Sequence, residues 1–117
     1  MKRFLVRNLL VVASLSASIG SATAAAVPRV DGARLLDGTS RSDNSPYADA
    51  ERHAMIGYLA GVADATEGKA WCDNGRVKPG EIDSEVLATL RKLPRDALKA
   101  SAARLVAHVL QQKFPCR

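Results

Sequence analysis

The sequence predicts an all-α fold, a small bundle of three or four helices closed by one disulfide. Three observations carry this. Apolar residues recur at spacings of three and four in three separate segments, no segment sustains the period-two alternation of a half-buried strand, and the chain holds two cysteines, Cys72 and Cys116. Its 117 residues suit one small domain, since ~100 to 150 residues is the common domain size.

The first 26 residues read as a cleavable secretory signal. Lys2, Arg3 and Arg7 form a cationic start, Leu9 to Ile19 an apolar run, and Ser21 to Ala26 a stretch of small residues offering Ala22-Thr23-Ala24 or Ala24-Ala25-Ala26 to a signal peptidase. The run is about half the ~20 residues a membrane span needs, and Ser14, Ser16 and Ser18 interrupt it. Export to the periplasm is expected, with no membrane anchor after cleavage; the lack of a Cys near the cleavage site argues against a lipoprotein.

Removing residues 1–26 changes what the composition means. The net charge falls from +5 to +2, and 39 of the remaining 91 residues are apolar, 14 of them Ala. The charge argument for nucleic acid as a partner disappears. The densest cationic stretch, Arg91, Lys92, Arg95 and Lys99, is flanked or interrupted by Glu81, Asp83, Glu85 and Asp96 and reads as a solvated helix face. An Ala-heavy core is thin, and a domain of this size with such a core is marginal without a staple.

Cys72 and Cys116 supply one. An even Cys count in an oxidising compartment favours pairing, and closing the 43 intervening residues stabilises the fold by roughly 4 kcal/mol in the chain-entropy model. The competing readings are a metal site and a catalytic thiol. No His stands near either Cys at ligand spacing, and nothing ties His53 or His108 to a thiol as its base, so the disulfide is preferred and neither metal nor cofactor is expected.

Residues 27–46 are rich in Asp, Gly, Ser and Arg and read as a mostly irregular arm, with one helical turn around Ala33 to Leu36 docking the pair Leu35-Leu36. The helical domain follows at 47–117. Ser45 is an N-cap and Pro46 a favoured first helical residue. From there to about Thr66 a helix is expected, with Tyr47, Ala50, Ala54, Tyr58 and Val62 at helical spacing and Met55 and Leu59 alongside. Gly57 and Gly61 lie four apart, each costing ~1 kcal/mol against Ala. Their use would be to let another backbone approach; the alternative is tolerated glycines in a surface turn.

Glu67 to Gly80 holds three Gly, a Pro and an Asn-Gly pair, and is expected to be a loop. It carries the single Trp71 beside Cys72, either a core plug over the disulfide or an exposed binding residue. Pro79 to Leu93 is the next helix, with Ile82, Val86, Leu90 and Leu93 on one face, acids in its first turns and Arg91 and Lys92 in its last. Pro94 stops it. Arg95 to Ala100 is a short turn carrying Leu98, and Ser101 caps a last helix whose face is Leu105, Val106, Val109 and Leu110, ended by Phe114-Pro115-Cys116.

Several of these words occur in a recognisable order: Gly57-Tyr58-Leu59-Ala60-Gly61-Val62-Ala63-Asp64, Trp71-Cys72, Leu90 to Pro94, Ser101-Ala102 with Leu105-Val106, and Phe114-Pro115-Cys116. Together they resemble the Rap/Tai-type immunity proteins of bacterial type VI secretion, over about residues 35–117. Members often carry a second Cys pair, and the matching positions here are Thr39 and Met55, which points to a looser N-terminal arm. The resemblance implies a periplasmic protein that occludes the active site of a cognate effector, a peptidoglycan amidase, without chemistry of its own. Proteins of this kind are often dimers, so the resemblance allows a homodimer in which Gly57 and Gly61 would suit a helix contact, though the same pair could equally pack inside one subunit. The candidate plug is the loop Glu67 to Gly80, with Lys69, Trp71, Asp73, Asn74 and Arg76 as partner-binding residues; a solvated connector is the alternative.

Two other classes were weighed. A small helical acid-stress chaperone with one disulfide fits length, compartment and Cys count, but not the ordered words. An enzyme would need a site, and the chain has no phosphate-binding Gly loop, no His-Glu zinc signature and no Ser elbow. Asp64 and Glu67 form the one carboxylate pair at helical spacing, and they read as solvated acids at a helix end. No catalytic residue is expected.

Overall fold

The computed structural model describes residues 29–78 and 80–117. The secretory-signal expectation lies outside the described residues. Four α-helices follow one another: α1 Gly32–Thr39, α2 Pro46–Thr66, α3 Glu81–Arg91 and α4 Ala102–Lys113, with a 3-10 turn at Ala97–Lys99 between the last two. The described residues form no sheet strand, only isolated bridges between Asp31 and Ser101 and between Glu67 and Trp71. The all-α bundle and the Cys72–Cys116 disulfide are both present.

The segment expected as a mostly irregular arm contains the whole of α1, two turns in place of one. Asp31 is its N-cap, its carboxylate accepting from the Arg34 N–H at 2.8 Å. Leu35 is fully buried, and Arg34 reaches Glu51 of α2 at 3.8 Å. Gly38 lies so close to α2 that an added Cβ would collide with Met55 Cγ. Met55 is itself buried. Packing therefore docks this segment beside Thr39 and Met55, the positions that the resemblance matched to a second cysteine pair, and the expectation of a looser arm is not met.

In α2 the start is as expected: Ser45 Oγ accepts from the Ala48 N–H at 3.1 Å, and Pro46 opens the helix. The same hydroxyl donates to Asp43 at 2.8 Å, which holds that exposed carboxyl below its usual range. The buried stripe, however, is Ala48, Met55, Leu59 and Ala63, so the helix is rotated from the Tyr47 to Val62 face that spacing suggested. Tyr47 is 66% exposed, with the Arg41 guanidinium over its ring. Small apolar residues occur all round this helix, so apolarity alone does not orient it.

α3 carries Glu81 and Asp83 in its first turn and Arg91 in its last, complementing the helix dipole, and buries Val86, Leu87 and Leu90. α4 buries Ala102, Val106, Val109 and Leu110. Ser101 precedes it but makes no side-chain cap. The chain just before α1 does that work: the Ala102 N–H donates to Val30 O at 2.9 Å and the Gly32 N–H to Ala100 O at 3.1 Å. A short backbone bridge thus satisfies the first of the helix's free N–H donors, while the Ser101 hydroxyl caps none of those that follow.

The core joins Leu35, the buried faces of the other three helices and Trp71, with no buried polar or charged residue. Gly57 and Gly61 are exposed, and an added Cβ at either meets nothing within 4 Å. Within one chain no backbone approaches them.

These contrasts set expected outcomes in urea denaturation. Gly38→Ala should lose about 1 to 3 kcal/mol by overpacking against Met55, while Gly57→Ala should gain about 0.5 to 1 kcal/mol from helix propensity in open space. Changes of the same sign would contradict the packing described. Replacing Cys72 and Cys116 together by Ser should cost roughly 4 kcal/mol of stability, read from the same transition.

Candidate partner-binding surface

α2 ends where its last carbonyls run out of helical donors, and the chain uses them to turn. The Glu67 N–H donates to Ala63 O at 3.0 Å, the Ala70 N–H to Thr66 O at 2.9 Å, and the Gly68 N–H to Trp71 O at 2.7 Å. Gly68 has φ +77°, a conformation that costs other residues a Cβ clash. The turn folds Trp71 back onto the bundle, where it is 3% exposed and its indole N–H donates to Ala63 O at 2.9 Å. Its ring lies tilted against Phe114, with centroids 6.1 Å apart.

Of the two readings of Trp71, the structure therefore carries the core plug. The side chain is not available as a contact surface, and its place among the candidate partner-binding residues is corrected accordingly. Trp71 fixes the root of the loop and leaves its tip to others.

The next residue fastens the loop a second time. The Cys72 N–H donates to Phe114 O at 3.0 Å, and Cys72 is bonded to Cys116 with Cα atoms 4.8 Å apart. Beyond it, the Asp73 N–H donates to Glu67 Oε1 at 3.2 Å and the Gly75 N–H to Asp73 Oδ1 at 2.9 Å, closing a small Asx turn. At the far end the Lys78 N–H donates to Glu81 Oε2 at 2.8 Å, tying the loop to the first residue of α3. Glu67, half of the carboxylate pair noted in the sequence, thus serves as a loop brace.

The remaining candidates separate. Lys69 is exposed on the turn that precedes Trp71. Asp73, Asn74 and Arg76 are exposed at the tip, between the anchored ends. Asp73 faces a shallow hollow shared with Asp64 of α2 and Asp83 of α3, while Asn74 and Arg76 face another, walled on the opposite side by Lys113, Phe114, Pro115 and Arg117. The first hollow carries three carboxylates with Lys78 beside them, an acidic excess, while the second carries cations and no Asp or Glu side chain.

Sequence reasoning missed Lys113, Arg117, Asp64 and Asp83 as parts of this surface. The signal for the first two was present: pairing Cys72 with Cys116 places the C-terminal residues beside the loop. For Asp64 and Asp83 no such signal existed, because their proximity depends on how α2 and α3 cross.

His53 and His108 are exposed on different helices, and among the described residues no group of three or more His, Cys, Asp or Glu side chains is placed to hold a metal ion. No helix of the described residues is long and apolar enough to cross a membrane. What the loop offers is a rigid, charged protrusion suited to binding another molecule.

No curated protein matches the sequence at a significant level. The family model of Rap1a immunity proteins matches residues 31–116, a span that runs from the N-cap of α1 to the second cysteine and includes the loop and both its anchors. The ordered words that suggested such a family, from Gly57 to Cys116, all fall within it. Immunity against a toxin is the function this membership carries. The chain belongs to the family of Rap1a immunity proteins.

Proposed function

We propose that this protein acts in the periplasm as the immunity partner of a type VI secretion peptidoglycan amidase, and that it inhibits the toxin by seating the loop tip, Asp73 to Arg76, in the active-site cleft. The observation that supports this is the double anchoring of an exposed polar tip. Trp71 and the disulfide hold one end and the Lys78 to Glu81 contact the other, so the tip is shaped before it meets a partner. Ordering a free side chain at an interface costs about 0.5 to 1.5 kcal/mol, and a preformed loop avoids much of that cost for its backbone. Occlusion needs no more chemistry than excluding substrate.

In this reading Gly57 and Gly61 are contacts for a second copy. They lie on the exposed side of α2 with Ala50 and Ala54, and among the described residues no atom lies within 4 Å of a Cβ added at either.

The decisive experiment looks for an amidase-like reading frame beside this gene and pairs its product with this protein. Co-production should protect cells that export the amidase to the periplasm, and the purified pair should form a complex without amidase activity. Replacing Asp73 and Asn74 together by Lys should weaken that complex by at least tenfold, as expected for residues at the centre of an interface, while the far-side change Arg104→Ala leaves it intact. Failure to bind or to protect would remove the amidase reading. For the second copy, Gly61→Leu should shift the sedimentation of the free protein from dimer to monomer without loss of helix content. A wild-type monomer at high micromolar concentration would dismiss it.

A further inference from the structure

The basic flank of the loop has properties of its own. It is a notch of about 190 Å³ with one wall from the loop, Cys72 to Val77, and the other from the C-terminal residues Lys113 to Arg117. Val77 and Phe114, both half-buried, supply apolar surface, while Asn74, Arg76, Lys113 and Arg117 supply donors. No Asp or Glu side chain lines it. Lys113 also meets Glu85 of α3 at 3.3 Å, and among the described residues neither Arg76 nor Arg117 belongs to an ion pair.

Two physical features separate this notch from an ordinary patch of solvated cations. Its walls are joined by the disulfide and by the Cys72 to Phe114 hydrogen bond, so the cations are held across a gap of defined width. Its volume is below the ~300 to 1,000 Å³ of pockets that enclose small molecules and suits a single side chain. An Arg guanidinium presents a planar fork that matches a carboxylate, and an apolar wall beside it weakens competition from water.

We propose that this notch receives an acidic side chain of the partner protein, an Asp or Glu flanked by an apolar residue. The proposal rests on the immunity reading for the identity of the partner, whereas recognition of the carboxylate is testable without the toxin. On the other side of the tip, Asp64, Asp73 and Asp83 outnumber the single cation Lys78 and would disfavour the same group. The two flanks therefore give the loop one favoured orientation in a cleft.

The test is a titration of the isotope-labelled, oxidised protein, followed by amide chemical shifts. The probe is a blocked Phe-Glu dipeptide, with blocked Phe-Gln and inorganic phosphate as comparison arms. Saturable shifts confined to residues 72–78 and 113–117 are expected with Phe-Glu. Affinity should fall at least fivefold with Phe-Gln, and by a similar factor with Phe-Glu on Arg76→Glu, an exposed substitution whose remaining spectrum reports an intact fold. Equal responses to Phe-Glu and Phe-Gln, or shifts centred elsewhere, would overturn the proposal. Binding of phosphate in place of Phe-Glu would overturn it in favour of a small-anion site. The two readings separate cleanly: a toxin complex indifferent to Arg76→Glu sinks the notch and leaves immunity standing, whereas carboxylate binding at the notch without any toxin complex does the reverse.

Discussion

Much of this molecule depends on the clasp at one end of the bundle, where Trp71, Phe114 and the Cys72–Cys116 bond meet. Trp71 closes the core under the end of α2, its N–H shares the Ala63 carbonyl, and its neighbour is covalently tied to the residues that follow α4. Burying a Trp removes ~150 to 250 Å² from water, worth about 4 to 6 kcal/mol as an upper bound, and the disulfide adds roughly 4 kcal/mol. Whole domains are stable by about 5 to 15 kcal/mol. A core in which five Leu are matched by six Ala and Val has little to set against the loss of either. The clasp is therefore both the staple of the fold and the mount of the proposed partner-binding loop.

The opposite end is held without covalent help. Gly38 lets α1 lie against Met55, Leu35 enters the core, and residues 30–32 meet residues 100–102 through backbone hydrogen bonds. At this end Met55 is buried, and its thioether side chain occupies the contact with Gly38. Met is well suited to this, since its unbranched chain fills irregular gaps. The result is an uneven molecule: one end clamped by a bond that only reduction opens, the other by close packing that a single added methyl group disturbs.

How much of this was legible in the sequence follows from which interactions are local. Helix order, the Ser45-Pro46 start, the charge-complemented ends of α3 and the turn at Ala97–Lys99 are decided by residues within a few positions of each other, and the structure has them. The rotation of α2 was not legible, because Ala and Gly all round a helix leave several faces nearly equal until neighbours choose one. Ser101 was the right residue at the wrong task, since its expected acceptor role is displaced by a strand-like contact from Val30, seventy residues earlier in the fold's path. Length of α1 was underestimated because Gly32 and Gly38 lower helix propensity, a cost that tertiary packing of Leu35 offsets.

The candidate site divides in the same way. Its residues from 69 to 76 were visible as an unusually polar loop beside a Cys and a Trp, but the partition of the tip into an acidic and a basic flank comes from three helices and a chain end converging on it. Under the proposed export, which would leave a net charge of only +2, that partition bears on how the protein finds its target. Total charge would steer it weakly. Opposed charges a few residues apart on a fixed protrusion act at short range instead, adding little to raw affinity while penalising every misaligned approach. An immunity protein gains from such a division of labour: shape excludes substrate, the anchored backbone keeps the cost of binding low, and local charge selects the one toxin, and the one orientation, that fits.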